Sequence, residues 1–336
     1  MTMTLTRKEF LQTAAGAVVA SAIARSAPAA AEKPGPKRGV SVYSYVSDLN
    51  VTCTLEDCFA EINDLDTRNY DLGLEVLTGV VEDYPNPSDA WVKKWHDMCA
   101  KYHVKPVEFG HWIDSKLYNE AGPWLSTKES YEQLVQDIKL GSKLGFTHGR
   151  TKLGVIDQPG MPEFDTLTPV RNWREFIKMA LPVAEKYNFR MLPEIHAPTL
   201  LKSKILDDYV DFIQKEKTTP WFGLNIDFGV FQNISGARGR GGQPGGQPMK
   251  EGTYSKPEEI VPLLPYVHCC HAKFNEINDD CECPNIPYAA VIDILKKHNW
   301  NGYLLSEYEG ADRNSGGAFA AVRKQHVMLK RLLGEA

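Results

Sequence analysis

No stretch of this 336-residue chain approaches the roughly 20 consecutive apolar residues that a bilayer-spanning helix requires. Nor is there an excess of positive charge. The formal net charge is -5, which argues against nucleic acid or an anionic membrane as the main partner. The seven cysteines form no CxxC pair, and their odd number argues against a complete disulfide framework. Cys281 and Cys283 in "DDCECP" read as a metal clip, an oxidised loop or a free, partly exposed pair, and the last reading is preferred. Glycine is missing from "VYSYVSDLN", which removes the phosphate turn that a doubly wound nucleotide-binding sheet needs after its first strand. What is present is 43% hydrophobic and 24% charged residues, enough to bury one large core.

The amino terminus differs from the rest. "TRKEFLQ" is followed by "TAAGAVVASAIA" and then "SAPAAA", that is, a basic start, a short apolar run and small residues at Ala29 and Ala31. This order predicts an export signal over residues 1–31 and a periplasmic destination. Arg7 and Lys8 before Phe10 and Leu11 resemble the twin-arginine export motif with one lysine substituted. A short amphipathic first helix is the competing reading.

From Arg38 onward, short apolar runs alternate with stretches of helical period. The strand-like runs are "GVSVYS", "DLGLEV", "VKPVEFG", "THGRTKLG", "RMLPEIH", "FGLNID", "VHCCHAKF" and "GYLLSEY". Helical patterns such as "SDAWVKKWHDMCAKY" and "PEEIVPLLPYV" separate them. Ser126 with Glu129, and Ser255 with Glu258, have capping-box spacing at helix starts. Eight strand–helix units predict an α/β fold, a single (β/α)8 TIM barrel over residues 38–336. The glycine-rich "SGARGRGGQPGGQP" (235–248) lacks the spacing of a phosphate loop and reads as a mobile loop over the barrel mouth.

A barrel gathers the carboxyl ends of its strands at one face. Glu194 ends the fifth strand, Asp227 the sixth, His271 the seventh and Glu307 the eighth. Three acids and an imidazole suit a hard to borderline divalent cation, Mn2+, Mg2+ or Zn2+. Three ionised acids converging without one would repel one another. His268 competes with His271, but the two are three apart and face opposite sides of the strand. His271 is preferred because Lys273 follows on its own side. Glu194 and His196 are two apart in "LPEIHAPTL" and share a face. His196 therefore reads as a base or as a residue orienting Glu194. Arg150, Lys152 and Lys273 read as substrate-binding or charge-stabilising groups, or as members of structural ion pairs. His111 and Trp112 in "GHWID" read as pocket lining, or the tryptophan as buried beneath a loop. Glu75 is expected inside the barrel as a hydrogen-bonded acid.

The Glu, Asp, His, Glu order with "HAK" on the seventh strand resembles the xylose-isomerase-like superfamily of sugar isomerases and epimerases. "YPNPSDAW", "PEIHAP", "DFGVFQ", "AKFNEI" and "SEYEG" look more specifically like the α subunit of bacterial C-glycoside deglycosidases. That resemblance implies a metal, usually manganese, on Glu194, Asp227, His271 and Glu307, with His196 as base and a small β subunit as partner. The implied substrate is a 3-oxo-glycoside, and the implied reaction is cleavage of its carbon–carbon or carbon–oxygen bond at C1. His196 would remove the C2 proton to give an enediolate beside the cation. The alternative is a keto-sugar isomerase or epimerase in which Glu194 and Glu307 form the acid–base pair. A third reading is a metal-stabilised sugar-binding scaffold without turnover.

Overall fold

The computed structural model describes residues 35–66, 72–112, 125–156, 167–169, 172–235, 246–313 and 316–335. The expected export signal and most of the glycine-rich segment lie outside these residues. Among them, the apolar runs form β1 (Lys37–Ser41), β2 (Leu72–Leu77), β3 (Val104–Trp112), β4 (His148–Lys152), β7 (Arg190–Leu192), β8 (Glu194–Ile195), β9 (Leu224–Asp227), β10 (Val267–Phe274) and β11 (Tyr303–Tyr308). They pair in parallel in the order β7-β4-β3-β2-β1-β11-β10-β9-β8. Two short strands that the sequence pattern did not announce, β5 (Gly154–Ile156) and β6 (Leu167–Pro169), form a separate antiparallel pair.

The ring closes across its fifth position. Pro193 divides that strand into β7 and β8, because proline has no N–H to give to a ladder. β7 pairs with β4, β8 pairs with β9, and an isolated bridge joins Met191 to Phe222. The fold is thus the (β/α)8 barrel expected.

Among the described residues, seven α-helices surround it: α1 (Leu55–Asp64), α2 (Asp89–Lys101), α3 (Thr127–Lys143), α4 (Trp173–Lys186), α5 (Lys204–Glu216), α6 (Tyr288–Lys297) and α7 (Ala318–Leu333). Ser126 and Glu129 make the expected reciprocal cap on α3. The pattern after the sixth ring strand forms a 3-10 helix, Pro257–Leu263, with Pro262 inside it, where the lost N–H discourages an α-helical ladder. Lys256, not Ser255, is its N-cap. The Ser255 hydroxyl instead accepts the Leu201 amide at 2.8 Å. No helix among the described residues is long and apolar enough to cross a membrane.

Two cores result. Between sheet and helices, Trp95 packs edge-on to Phe59 and close to Phe146, and Trp173 lies against Phe222 and Phe212. Inside the barrel, the floor is a small apolar cluster of Val107, Leu192, Cys269, Tyr303 and Leu305. Gly39 and Gly73 make room for the larger members. A Cβ on Gly39 would come within 2.6 Å of Leu305 Cδ2, and one on Gly73 within 2.5 Å of Tyr303 Cδ1. Side chains alternate along a strand, so two residues beyond Leu192, Cys269 and Leu305 the interior turns polar, at Glu194, His271 and Glu307.

Candidate metal centre

Glu194, Asp227, His271 and Glu307 each offer one ligand atom, and these four atoms lie within 4.8 Å of one another. All four residues are buried. His271 Nδ1 is 3.1 Å from Glu194 Oε1 and 2.6 Å from Glu307 Oε2. The close approach to Glu307 lacks hydrogen-bond geometry: Glu307 Oε2 and Asp227 Oδ2 are buried oxygens without a hydrogen-bond partner among the described residues. Asp227 Oδ1, by contrast, accepts the Gly229 amide at 2.6 Å, which fixes the carboxylate and turns its other oxygen towards the group.

Beneath these ligands lies a second polar layer. A register shift between β2 and β3 sets Glu75 beside Glu108, next to Pro106, which cannot donate to the ladder. Arg150 Nε is 2.7 Å from Glu75 Oε1 and its Nη1 is 3.2 Å from Glu194 Oε2. Asn225 Nδ2 donates to both Glu108 oxygens at 3.1 and 3.0 Å. His271 Nε2 is 2.9 Å from Glu108 Oε2. Glu75, Glu108 and His271 also meet the distance criterion for a cation site. Arg150 already reaches Glu75 and the Asn225 amide already donates to Glu108, so this lower set reads as a support and the upper set as the better cation site.

The interior holds five carboxylates (Glu75, Glu108, Glu194, Asp227, Glu307) against two permanent cations, Arg150 and Lys273. The titration behaviour registers this imbalance. Burial lifts the carboxyls of Glu75 and Asp227 to about 7. Burial also pushes Glu307 up, but Lys273 and His271 outweigh it and hold that carboxyl below its usual range. For His271, burial acts downward, and the acids around it, Glu75 and Glu307 foremost, overcome it and raise the imidazole well above its ordinary value. A divalent cation on three oxygens and Nδ1 would supply the positive charge that protons otherwise bring. The donor set and the orphaned oxygens fit such an ion.

The remaining expected residues divide. Lys273 Nζ is 3.5 Å from Asp227 Oδ2, 3.6 Å from Glu307 Oε1 and 2.8 Å from Glu309 Oε2, so it belongs to the centre. His196 follows Glu194 at the end of β8 and is 8% exposed. Its Nδ1 lies 2.5 Å from the Ala197 carbonyl, a bond that requires Nδ1–H and leaves the basic lone pair on Nε2. His268 turns away, with Nε2 3.0 Å from the Thr219 carbonyl.

Two expectations need correction. His111 does not line the mouth. Glu108 and Gly110 face the barrel axis, so His111 faces the helix layer, where its Nδ1 is 3.3 Å from Asp137 Oδ2 on α3 and its Nε2 is 2.9 Å from Thr151 Oγ1. Arg150 commits Nε and Nη1 to Glu75 and Glu194, holding a ligand from below, so of its two expected roles the ion pair applies and not sugar-binding at the mouth. Trp112 and Lys152 end β3 and β4, but their side chains lie outside the described part of the structure. Cys281 and Cys283 are free thiols. Glu108, Asn225 and Asp137 were missed. Glu108 and Asn225 carried a usable signal, since Asn225 is two residues before Asp227, and Glu108 sits on the strand beside Glu75.

A family model described as xylose isomerase-like TIM barrel matches residues 69–331. The C-glycoside deglycosidase alpha subunit of Arthrobacter globiformis is 24% identical, over 90% of this chain and 94% of the relative. The 3'-dehydrocarminate deglycosidase alpha subunit of a Microbacterium species is 31% identical over 24% of this chain and 24% of that relative. Among solved structures, D-psicose 3-epimerase with D-tagatose from Clostridium cellulolyticum H10 superposes with a TM-score of 0.63 at 13% identity, covering 89% of this chain and all of that one.

Proposed function

This chain belongs to the xylose isomerase-like TIM barrel family, and on that premise we propose that it is a divalent-metal-dependent enzyme, with Mn2+ as the resident ion, that cleaves the bond at C1 of a 3-oxo-glycoside. The observation that carries the reading is the pairing of a four-ligand acidic centre with a buried histidine two residues beyond one of the ligands. Glu194, Asp227, His271 and Glu307 would hold the ion, which supplies Lewis acidity towards a ketone oxygen. His196 Nε2 takes the proton from C2. The electron pair left on C2 forms the C1–C2 double bond as the C1 substituent departs, and a proton returns to the leaving group. Burial acts to lower the Lys273 ammonium, but Asp227, Glu307 and Glu309 outweigh it and hold it well above its ordinary value. It therefore stays charged beside the reacting oxygens and offsets developing negative charge.

A second reading has a specific observation behind it. Glu194 and Glu307 reach the same imidazole nitrogen from β8 and β11, which flank β9 and β10 in the ring. Two carboxylates arriving from strands on either side of the centre suit proton removal on one face of a sugar and return on the other, as an epimerase needs. The likeness to deglycosidase alpha subunits supports the lyase first, and with it a small second subunit as partner. The pattern of residues 1–31 supports export to the periplasm.

The deciding experiment gives the purified Mn2+-loaded protein an aromatic 3-oxo-glucoside in deuterated water. Released aglycone is the expected result. A deuterated isomeric sugar would favour the epimerase, and neither product, with or without a second subunit, would overturn both.

A further inference from the structure

We propose that Glu108 is the positioning residue that makes Nδ1 of His271 the metal-binding nitrogen. The inference rests on the metal-centre reading above and concerns a residue that the centre itself does not contain. Donor and acceptor compete for His271 Nε2, where Glu75 Oε2 at 3.4 Å stands behind Glu108 as a second, longer acceptor contact. Asn225 Nδ2 is 3.0 Å away and can only donate; Glu108 Oε2 is 2.9 Å away, and a carboxylate there only accepts. If Asn225 won, the lone pair would sit on Nε2, and Nδ1 would carry a proton aimed at Glu194 and Glu307. That tautomer closes the centre to a cation. If Glu108 wins, Nε2 carries the proton and the lone pair on Nδ1 faces the three ligand oxygens.

The surroundings favour Glu108. Asn225 Nδ2 already donates to both Glu108 oxygens, so the amide that would compete for the imidazole instead anchors the carboxylate that orients it. Glu108 and His271 have no exposed surface, so a wrong choice of tautomer at that depth sets acceptor against acceptor in the interior. A carboxylate on the far nitrogen also raises the basicity of the ligating one, and loss of such a partner typically weakens metal binding about 10- to 100-fold.

The test measures Mn2+ affinity by chelator competition for wild type, Glu108→Leu and Glu108→Gln, with circular dichroism to verify the fold. Glu108→Leu should weaken binding at least fivefold. Glu108→Gln should recover much of that loss, because its amide oxygen can still accept from Nε2–H. A loss under fivefold in Glu108→Leu, or glutamine and leucine variants equally impaired, would overturn the inference. Should Glu108→Leu not fold, long-range proton–nitrogen NMR of the Zn2+-loaded wild type decides instead. An Nδ1-coordinated, Nε2-protonated His271 supports the inference, and Nε2 coordination overturns it. Wild type binding no Mn2+, or Asp227→Asn binding it unchanged, would sink the metal reading itself.

Discussion

Glu75 and Glu108 stand side by side as register partners on adjacent strands, two carboxylates with no exposed surface. Such a pair persists in a barrel interior only with positive charge and hydrogen-bond donors around it. Arg150 reaches from Glu75 up to Glu194 and so couples the supporting layer to the ligand layer.

Replacing Arg150 with methionine should therefore destabilise the fold by about 3–5 kcal/mol, since it leaves Glu75 buried without its cation. The double variant Arg150→Met/Glu75→Gln should recover most of this loss. Urea denaturation of wild type, Arg150→Met, Glu75→Gln and the double variant checks the non-additivity, and additive losses would show that the two side chains do not act as a pair.

Asp227→Asn should abolish the thermal stabilisation that Mn2+ gives to wild type. An ion present at a thousandfold its dissociation constant stabilises the native state by about 4 kcal/mol. Differential scanning calorimetry with and without Mn2+ should show the shift in wild type alone. An equal shift in the variant removes Asp227 from the ligand set.

His196→Ala should keep Mn2+ affinity within about threefold of wild type while slowing C2 proton exchange by about 10²-fold or more, the range expected when a general base is lost. Mass spectrometry of recovered 3-oxo sugar in deuterated water gives the rate. Weakened metal binding with unchanged exchange would instead make His196 a support for Glu194.

Acid should weaken the fold through histidines that no metal touches. Burial, followed by the charge of Arg190, lowers His148 to about 3 and His268 to about 4. The unfolded chain takes up these protons below about 6.5, whereas the native state refuses them until near pH 4. At these two sites the unfolded protein binds more protons than the native, so each histidine contributes a loss of about 1.4 kcal/mol per pH unit as pH drops from about 6.5 to 4. Set against this is the opposite contribution of Glu75 and Asp227, whose raised carboxyls take up protons first in the native state. His148→Gln should flatten that decline by roughly one such increment in denaturant titrations at pH 6.5 and 4.5. Parallel curves for variant and wild type would show that His148 does not drive it.

The ring of strands was legible because buried parallel strands are continuous apolar runs separated by helical periods. The interrupted fifth strand was legible only as a proline in an odd place. The 3-10 segment at Pro257–Leu263 hid inside an amphipathic pattern, because periodicity registers the apolar face and not the missing amide of Pro262. At the centre, the four ligands could be read because each lies in the carboxyl half of its ring strand, towards the same end of the barrel. Glu108 lies mid-strand, and its partner His271 is 163 residues distant, a contact that only the register of the closed ring creates. The misplacement of His111 has a simple origin. Strand parity counted from an inward Glu108 sends residue 111 outward, but nothing in "VKPVEFGHW" alone says which parity is inward.

The break at Pro193 gives the ring a clasp. Elsewhere each neighbour is stitched along most of its length, whereas here two short pieces grip different sides, and Glu194 rides on the piece belonging to β9. Thermal breathing should part the molecule along this line first. Amides of residues 190–192, 194 and 195 would then trade their hydrogens for solvent deuterium before those of β2 or β10, and an ion gripping Glu194 together with His271 would fasten the clasp.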